Sequence, residues 1–108
     1  MPKVYIPNRS YHNFSAAKEY GELVFLTDEP INRYATNRMV GEFKHAIDNS
    51  SSDDYVLVTS LTVMVSILCS LFSLKHGRLN LLIHRPNASD NPYVLREIVF
   101  SEQYYASK

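Results

Sequence analysis

Apolar positions recur along the chain with two different spacings, and the spacing changes at glycine, proline and clusters of polar residues. Short runs rich in β-branched and aromatic residues, bounded by turn residues, predict five β-strands. These runs are Lys3–Ile6, Glu22–Leu26, Tyr55–Val58, Leu79–His84 and Tyr93–Phe100. Three segments between them, 14–20, 32–48 and 61–75, are predicted to be helical. The residues after Ser101 have neither pattern and are expected to be frayed.

The order of these elements predicts the fold class. Strands alternate with helices until the last two strands, which follow each other across the turn-rich loop 85–92. Such an order is typical of an α/β protein with parallel strands joined by crossover helices. We therefore expect a single domain over residues 1–108, with three layers, a mostly parallel, mixed sheet of about five strands and an antiparallel C-terminal hairpin.

The predicted helix 61–75 is apolar on almost every side. Its small polar residues Thr62, Ser66 and Ser70 repeat every four positions and so lie in one narrow stripe. A helix of this kind is buried on most sides, and a sheet can cover only one of them. We therefore expect a homo-oligomer, a dimer, in which a second copy covers the other side.

The stretch 55–74 carries no charge over the length of a membrane span. Six of its twenty residues are Ser or Thr, however, and Tyr55–Val58 has the composition of a strand. A buried strand and helix are therefore favoured over a span.

Charge and cysteine content narrow the class of partner. The eleven basic and eleven acidic side chains cancel, whereas a protein that coats duplex DNA needs surplus Lys and Arg. The single cysteine, Cys69, cannot form an internal disulfide, which favours a reducing compartment. The N-terminus has no apolar stretch of signal-peptide length. We expect a cytoplasmic protein that binds neither duplex nucleic acid nor membrane.

Polar residues follow two of the predicted parallel strands, at the ends where open α/β sheets bind ligands. The amides and the dipole of a following helix attract a negative group there. An arginine can bind a phosphate through two nitrogens, hydroxyls can donate to its oxygens, and a tyrosine can stack on a base. The sequence therefore predicts a site for a small anionic ligand or nucleotide, formed by Asn8, Arg9, Ser10, Tyr11, Thr59, Ser60 and Thr62.

A purely structural interpretation of the same residues stays open. In it, Asn13 or Ser15 caps the first helix, Ser60 caps the third, and Arg9 is solvated. The ligand hypothesis requires Asn8–Tyr11 and Thr59–Thr62 to lie along the same rim of one sheet.

Catalytic motifs are absent from the sequence. There is no phosphate-binding loop, no dinucleotide glycine fingerprint and no metal-ligand spacing among the four histidines, so no cofactor or metal is predicted. His12 is the one candidate for a general acid or base, and binding is favoured over catalysis. His76 ends a helix, where the dipole is expected to favour its positive form.

Three stretches, KVYIPNRSYHNF, VLVTSLTVMVSILCSL and GRLNLLIH, together resemble the small viral ring nucleases that bind and degrade cyclic tetra-adenylate. The resemblance implies a dimeric viral α/β protein with an anti-defence role. Members of that family carry a catalytic histidine at the strand-to-helix turn, where this chain has Val58–Thr62. The resemblance therefore implies that the ligand is sequestered and not cleaved.

Two other functions stay open at this point. One is a protein–protein interaction module, such as an inhibitor of a host complex, that acts through an exposed sheet edge or the second helix. The other is a phosphodiesterase that uses His12.

Overall fold

Five strands form one mixed sheet in the computed structural model, which describes residues 1–9, 12–28, 32–59, 61–87 and 90–105. The sheet order is β2-β1-β3-β4-β5. Its strands are β1 (Lys3–Ile6), β2 (Glu22–Phe25), β3 (Tyr55–Val58), β4 (Arg78–His84) and β5 (Tyr93–Val99). The first four are parallel and β5 is antiparallel to β4. The predicted fold class is confirmed.

Helices cover both faces of this sheet and give it three layers. The helices α1 (Thr36–Asp48) and α2 (Thr62–His76) pack on one face, and a 3₁₀ helix (Ser15–Glu19) packs on the other. The connection from β1 to β2 crosses one face of the sheet through the 3₁₀ helix and moves away from β3. The connections from β2 to β3 and from β3 to β4 run the opposite way on the opposite face, so all three crossovers have the same hand.

The α-helical face holds the larger part of the core. Each helix contributes three fully buried side chains one turn apart, and these meet Tyr5, Val56 and Leu79 of the sheet. Burial of each large apolar side chain contributes about 1.5–3 kcal/mol. The buried helical residues are Met39, Phe43 and Ile47 of α1 and Met64, Leu68 and Phe72 of α2.

The opposite face of α2 is exposed and polar. Ser66 and Ser70 donate hydrogen bonds to the carbonyl oxygens four residues before them, at 2.8 and 2.7 Å, so their hydroxyls are satisfied within the helix. Leu74 on this helix is 82% exposed. Covering of this face by a second copy stays a prediction.

A buried carboxylate joins the starting ends of the central strands. Asp54, 4% exposed, precedes β3 and accepts hydrogen bonds from the backbone N–H of Lys3 at 2.9 Å and of Ser51 at 2.8 Å. The hydroxyl of Tyr5 also donates to it, at 3.3 Å. Burial, and then the charge of Asp54, raise the pKa of Tyr5 to about 12, so this hydroxyl stays a donor. Asn80 of β4 completes the junction by donating to the Asp54 backbone carbonyl at 2.8 Å.

The ends of α1 and α2 are joined by a second polar cluster. The ammonium group of Lys75 donates to the carbonyl oxygens of Ile47 and Asp48, at 2.9 and 2.7 Å, where α1 ends. Next to it, the Nε2 atom of His76 lies 2.7 Å from the Ser50 hydroxyl. Burial, followed by the charge of Lys75, lowers the pKa of His76. Burial and the charge of Lys75 therefore act against the positive form that the helix dipole favours.

The element boundaries differ from the predicted ones mainly in two places. Residues 32–35 precede α1 because the Asn32 side chain accepts a hydrogen bond from the N–H of Tyr34 at 2.9 Å, which makes a turn. The residues after β5 form a short helix, α3 (Phe100–Tyr105), instead of a frayed end. Within the described ranges, no helix is both long and apolar enough to cross a membrane.

Replacing the buried carboxylate should destabilise the fold strongly. In Asp54→Asn the amide cannot accept at both former oxygen positions, so at least one buried donor loses its partner. We expect a loss of about 2–3 kcal/mol in the free energy of unfolding by urea. Asp53→Asn makes the same change at an exposed neighbour and should cost less than about 0.5 kcal/mol. Equal losses in the two variants would contradict this role of Asp54.

The lowered pKa of His76 predicts a loss of stability in mild acid. The unfolded chain takes up a proton at His76 near its ordinary pKa of 6.5, whereas the folded chain takes it up only at a lower pH. Between these values the unfolded state binds more protons, so the free energy of unfolding falls as the pH falls below 6.5. Urea titrations across this range should show a shallower fall in His76→Gln, and His45→Gln on the exposed face of α1 should behave like wild type. A profile unchanged by His76→Gln would refute the assignment.

Candidate functional site

The chain leaves β1 and β3 in opposite directions. These strands are parallel neighbours, and the chain continues from β1 to the 3₁₀ helix on one face and from β3 to α2 on the other. In doubly wound sheets, ligands bind in the crevice beyond the carboxyl ends of two strands whose connections diverge in this way. Thr59 follows β3 directly and Asn8 comes one residue after Pro7 at the end of β1, so these two residues lie at the same edge of the sheet.

The segment after β1 is fixed to the end of β2. The side-chain amide of Asn8 donates to the Thr27 hydroxyl at 2.8 Å, and this hydroxyl donates to the carbonyl of Pro7 at 2.8 Å. The backbone N–H of Arg9 donates to the Thr27 carbonyl, also at 2.8 Å. Three hydrogen bonds therefore hold the segment after β1 against the segment after β2.

The Arg9 guanidinium points away from the start of α2. Its Nε atom lies 2.8 Å from a carboxylate oxygen of Asp28, and its carbon lies 3.9 Å from the centre of the Phe25 ring. Phe25 packs with the cluster on the 3₁₀ face, whereas α2 lies on the opposite face. The structure therefore brings Arg9 to Asp28 and Phe25 and does not bring it to Thr62. With the two side chains 59% and 71% exposed, this ion pair contributes little to stability.

The segment after β3 presents the start of a long helix. The residue before α2 is Leu61, whose side chain cannot accept a hydrogen bond, and the first turn of α2 holds no acidic residue. The Thr59 hydroxyl accepts a bond from the Leu61 N–H at 3.3 Å, and Thr62 is exposed at the first helical position. The helix dipole at this end has no negative side chain from its own first turn to balance it.

Of the remaining predicted site residues, the structure describes only His12. Ser10, Tyr11 and Ser60, including the predicted Ser60 cap, lie outside the described residues. His12 is exposed, and its ring centre lies 6.2 Å from that of Phe14 on the 3₁₀ face. In the described ranges, no three His, Cys, Asp or Glu side chains are placed to hold a metal ion. The predicted role for Asn13 is confirmed, since its side chain accepts a hydrogen bond from the Ser15 N–H at 2.9 Å.

Sequence reasoning missed Thr27 and Asp28, which hold Asn8 and Arg9. A signal for them exists, because these two polar residues come one residue after the end of β2, just as Asn8 and Arg9 come one residue after the end of β1. It could not be used without the strand order, which makes β2 the neighbour of β1.

The strand order and the position of the crevice define a doubly wound α/β protein with one antiparallel edge strand. Comparison with protein families assigns the chain further: it belongs to the phage Pam3 gp32-like protein family, whose model matches residues 2–98. The predicted viral origin is thereby confirmed. No curated protein and no solved structure matches the chain, and nothing in these comparisons links it to the ring nucleases.

Proposed function

We propose that this phage protein binds a small phosphate-bearing ligand, such as a nucleotide signal, in the crevice between the ends of β1 and β3, and holds it without cleaving it. The observation that carries the proposal is the start of α2. A fifteen-residue helix begins at a topological switch point with no acidic residue in its first turn and no acceptor on the preceding side chain.

Electrostatics favours a ligand at this position. The backbone dipoles of a helix place roughly half a positive charge at its start, and the amides of the first turn point toward an incoming anion. The hydroxyl of Thr59, which accepts from the Leu61 N–H, can donate to a ligand at the same position, and Thr62 is exposed at the first helical residue. A phosphate group, with several acceptor oxygens, matches such a set of donors better than a carboxylate.

In this proposal Arg9 is not the main contact for the phosphate, although a guanidinium can bind a phosphate through two nitrogens. Its Nε atom is already bound to Asp28, so a ligand would have to compete with an internal carboxylate for the guanidinium. We therefore assign the first contacts with the ligand to the start of α2.

Retention without cleavage is favoured by the position of the histidine. His12, the candidate acid or base, packs beside Phe14 on the 3₁₀ face, whereas α2 begins on the opposite face. A phage protein that keeps a nucleotide messenger bound would lower its free concentration in proportion to the amount of protein present. Cyclic tetra-adenylate is one messenger that belongs in the test.

Titration calorimetry with a panel of ligands tests the proposal. The panel holds inorganic phosphate, adenosine mono- and triphosphate, two cyclic dinucleotides and cyclic tetra-adenylate. We expect at least one nucleotide to bind, and Thr62→Val to weaken that binding about tenfold, because a hydrogen bond to a charged group contributes about 1.5 kcal/mol or more. Thr36→Val, which makes the same change at the exposed first residue of α1, should leave the affinity unchanged.

Three outcomes would overturn the proposal. They are the absence of heat with every ligand, equal weakening in Thr62→Val and Thr36→Val, and turnover of a nucleotide that His12→Ala abolishes. The last outcome would replace binding by phosphodiester hydrolysis.

One observation favours a protein-interaction module as the second candidate. Leu74 on α2 and Tyr34 before α1 are 82% and 79% exposed, and large exposed apolar side chains are more frequent at interaction sites. If this function is the correct one, Leu74→Ser should abolish capture of one identified partner and leave the unfolding free energy of the chain unchanged.

A further inference from the structure

The two edges of the sheet differ in how their backbone groups are used. The sheet order leaves the outer sides of β2 and β5 without a neighbouring strand. An edge strand presents unpaired N–H and C=O groups, and proteins usually protect such groups from pairing with another chain. The backbone hydrogen bonds identify which residues of each strand face outward.

The first part of the β5 edge is protected from within the chain, at Tyr93 and at the carbonyl of Leu95. The N–H of Arg85 donates to the carbonyl of Pro92, and the N–H of Phe100 donates to the carbonyl of Gly77. The even-numbered residues of β5 therefore bond to β4, and the backbone groups of the odd-numbered residues face outward. The N–H of Tyr93 donates to Asn91, and its carbonyl accepts from the hydroxyl of Tyr20. The carbonyl of Leu95 accepts from the Arg96 side chain at 2.9 Å. Exposed charges at Arg96 and Glu97 in the middle of the strand add to this protection.

The β2 edge has no such protection. The N–H groups of Glu22 and Leu26 donate to Pro2 and Ile6, each at 2.9 Å, so Glu22, Val24 and Leu26 bond toward β1 and Leu23 and Phe25 face outward. In the described part of the chain, the outward N–H and C=O groups of Leu23 and Phe25 have no partner. Residues 23–26 read LVFL and carry no charge.

We infer that the β2 edge is an interface between two copies of this chain, paired as antiparallel strands about a two-fold axis at Val24. In this register Leu23 of one copy pairs with Phe25 of the other, so the outward groups of both residues are all used. The axis is perpendicular to the sheet and keeps the α-helical face of both copies on the same side. The two five-stranded sheets thereby become one sheet of ten strands.

Self-complementarity selects a second copy as the occupant. Every side chain from Leu23 to Phe25 faces an apolar side chain across the axis, and no charge faces a like charge. On β5, an axis at Arg96 or at Glu97 sets like charges directly opposite each other, which destabilises strand pairs. An axis at Leu95 sets these two charged residues opposite Val94 and Tyr93 instead. This inference is independent of the proposed ligand.

Sedimentation equilibrium of the purified chain, with matched edge variants, tests the interface. We expect a monomer–dimer equilibrium over about 10–500 µM, the range of a small interface. Leu23→Pro removes one outward N–H and no internal hydrogen bond, and proline is tolerated on edge strands in this orientation. It should abolish the dimer. Leu95→Pro is the matched control at the other edge. It also removes an outward N–H, and Leu95, like Leu23, packs against the core cluster on the 3₁₀ face. This variant should leave the dimer intact.

A charge exchange at the axis keeps the test decisive if a proline variant fails to fold. Val24 also packs against the core on the α-helical face, so far-ultraviolet circular dichroism must first confirm the fold of each variant. Folded Val24→Arg and Val24→Glu each place like charges opposite each other and should be monomeric. An equimolar mixture of the two should restore a dimer about as stable as the wild type, or tighter. A monomeric wild type at every concentration, a dimer that survives Leu23→Pro and Val24→Arg, or a dimer lost only in Leu95→Pro would overturn the inference. The last two results would point to another surface or to the β5 edge.

Discussion

The buried carboxylate of Asp54 is the interaction on which the arrangement of this molecule depends. It accepts hydrogen bonds from the start of β1, from the turn before β3 and from the hydroxyl of Tyr5, so it fixes β1 beside β3 at their starting ends. Because these strands are parallel neighbours, their carboxyl ends also lie side by side. The chain leaves them toward opposite faces, because β1 continues to β2 across the 3₁₀ face and β3 continues to β4 across the α-helical face. The crevice in which we propose a ligand is the consequence of that separation at the other end of the same two strands.

Much of the fold follows from local patterns, and the exceptions have physical causes. β1 and β3 begin and end as predicted because β-branched and aromatic runs are bounded by turn residues and by Pro7. The start of α1 was predicted too early because the Asn32 side chain makes a turn that composition does not indicate. The final helix was missed because a six-residue helix is too short to show a period. The lowered pKa of His76 was not predicted because its main cause, burial, depends on tertiary packing.

The sequence predicted which residues follow the parallel strands, but it did not predict the contacts of their side chains. Asn8, Thr59 and Thr62 lie at the predicted rim because the carboxyl ends of parallel strands meet there. The direction of Arg9 was not predictable, since it depends on Asp28 and Phe25 of β2. Only the sheet order makes β2 the neighbour of β1 on the side away from β3. The sequence therefore predicts that a positive charge follows β1, but the contacts of Arg9 with Asp28 and Phe25 determine the direction of its guanidinium group.

The most direct test of the account is the response of the first-turn amides of α2 to a phosphate-bearing ligand. In ¹⁵N–¹H correlation spectra, adenosine monophosphate, and then inorganic phosphate, should shift the signals of Thr62, Val63 and Met64. The amides of Thr36, Asn37 and Arg38 at the start of α1 should stay in place, since that helix does not begin at the end of β1 or β3. Shifts of equal size at both helices, shifts confined to other surfaces, or unchanged spectra at millimolar ligand would contradict the account.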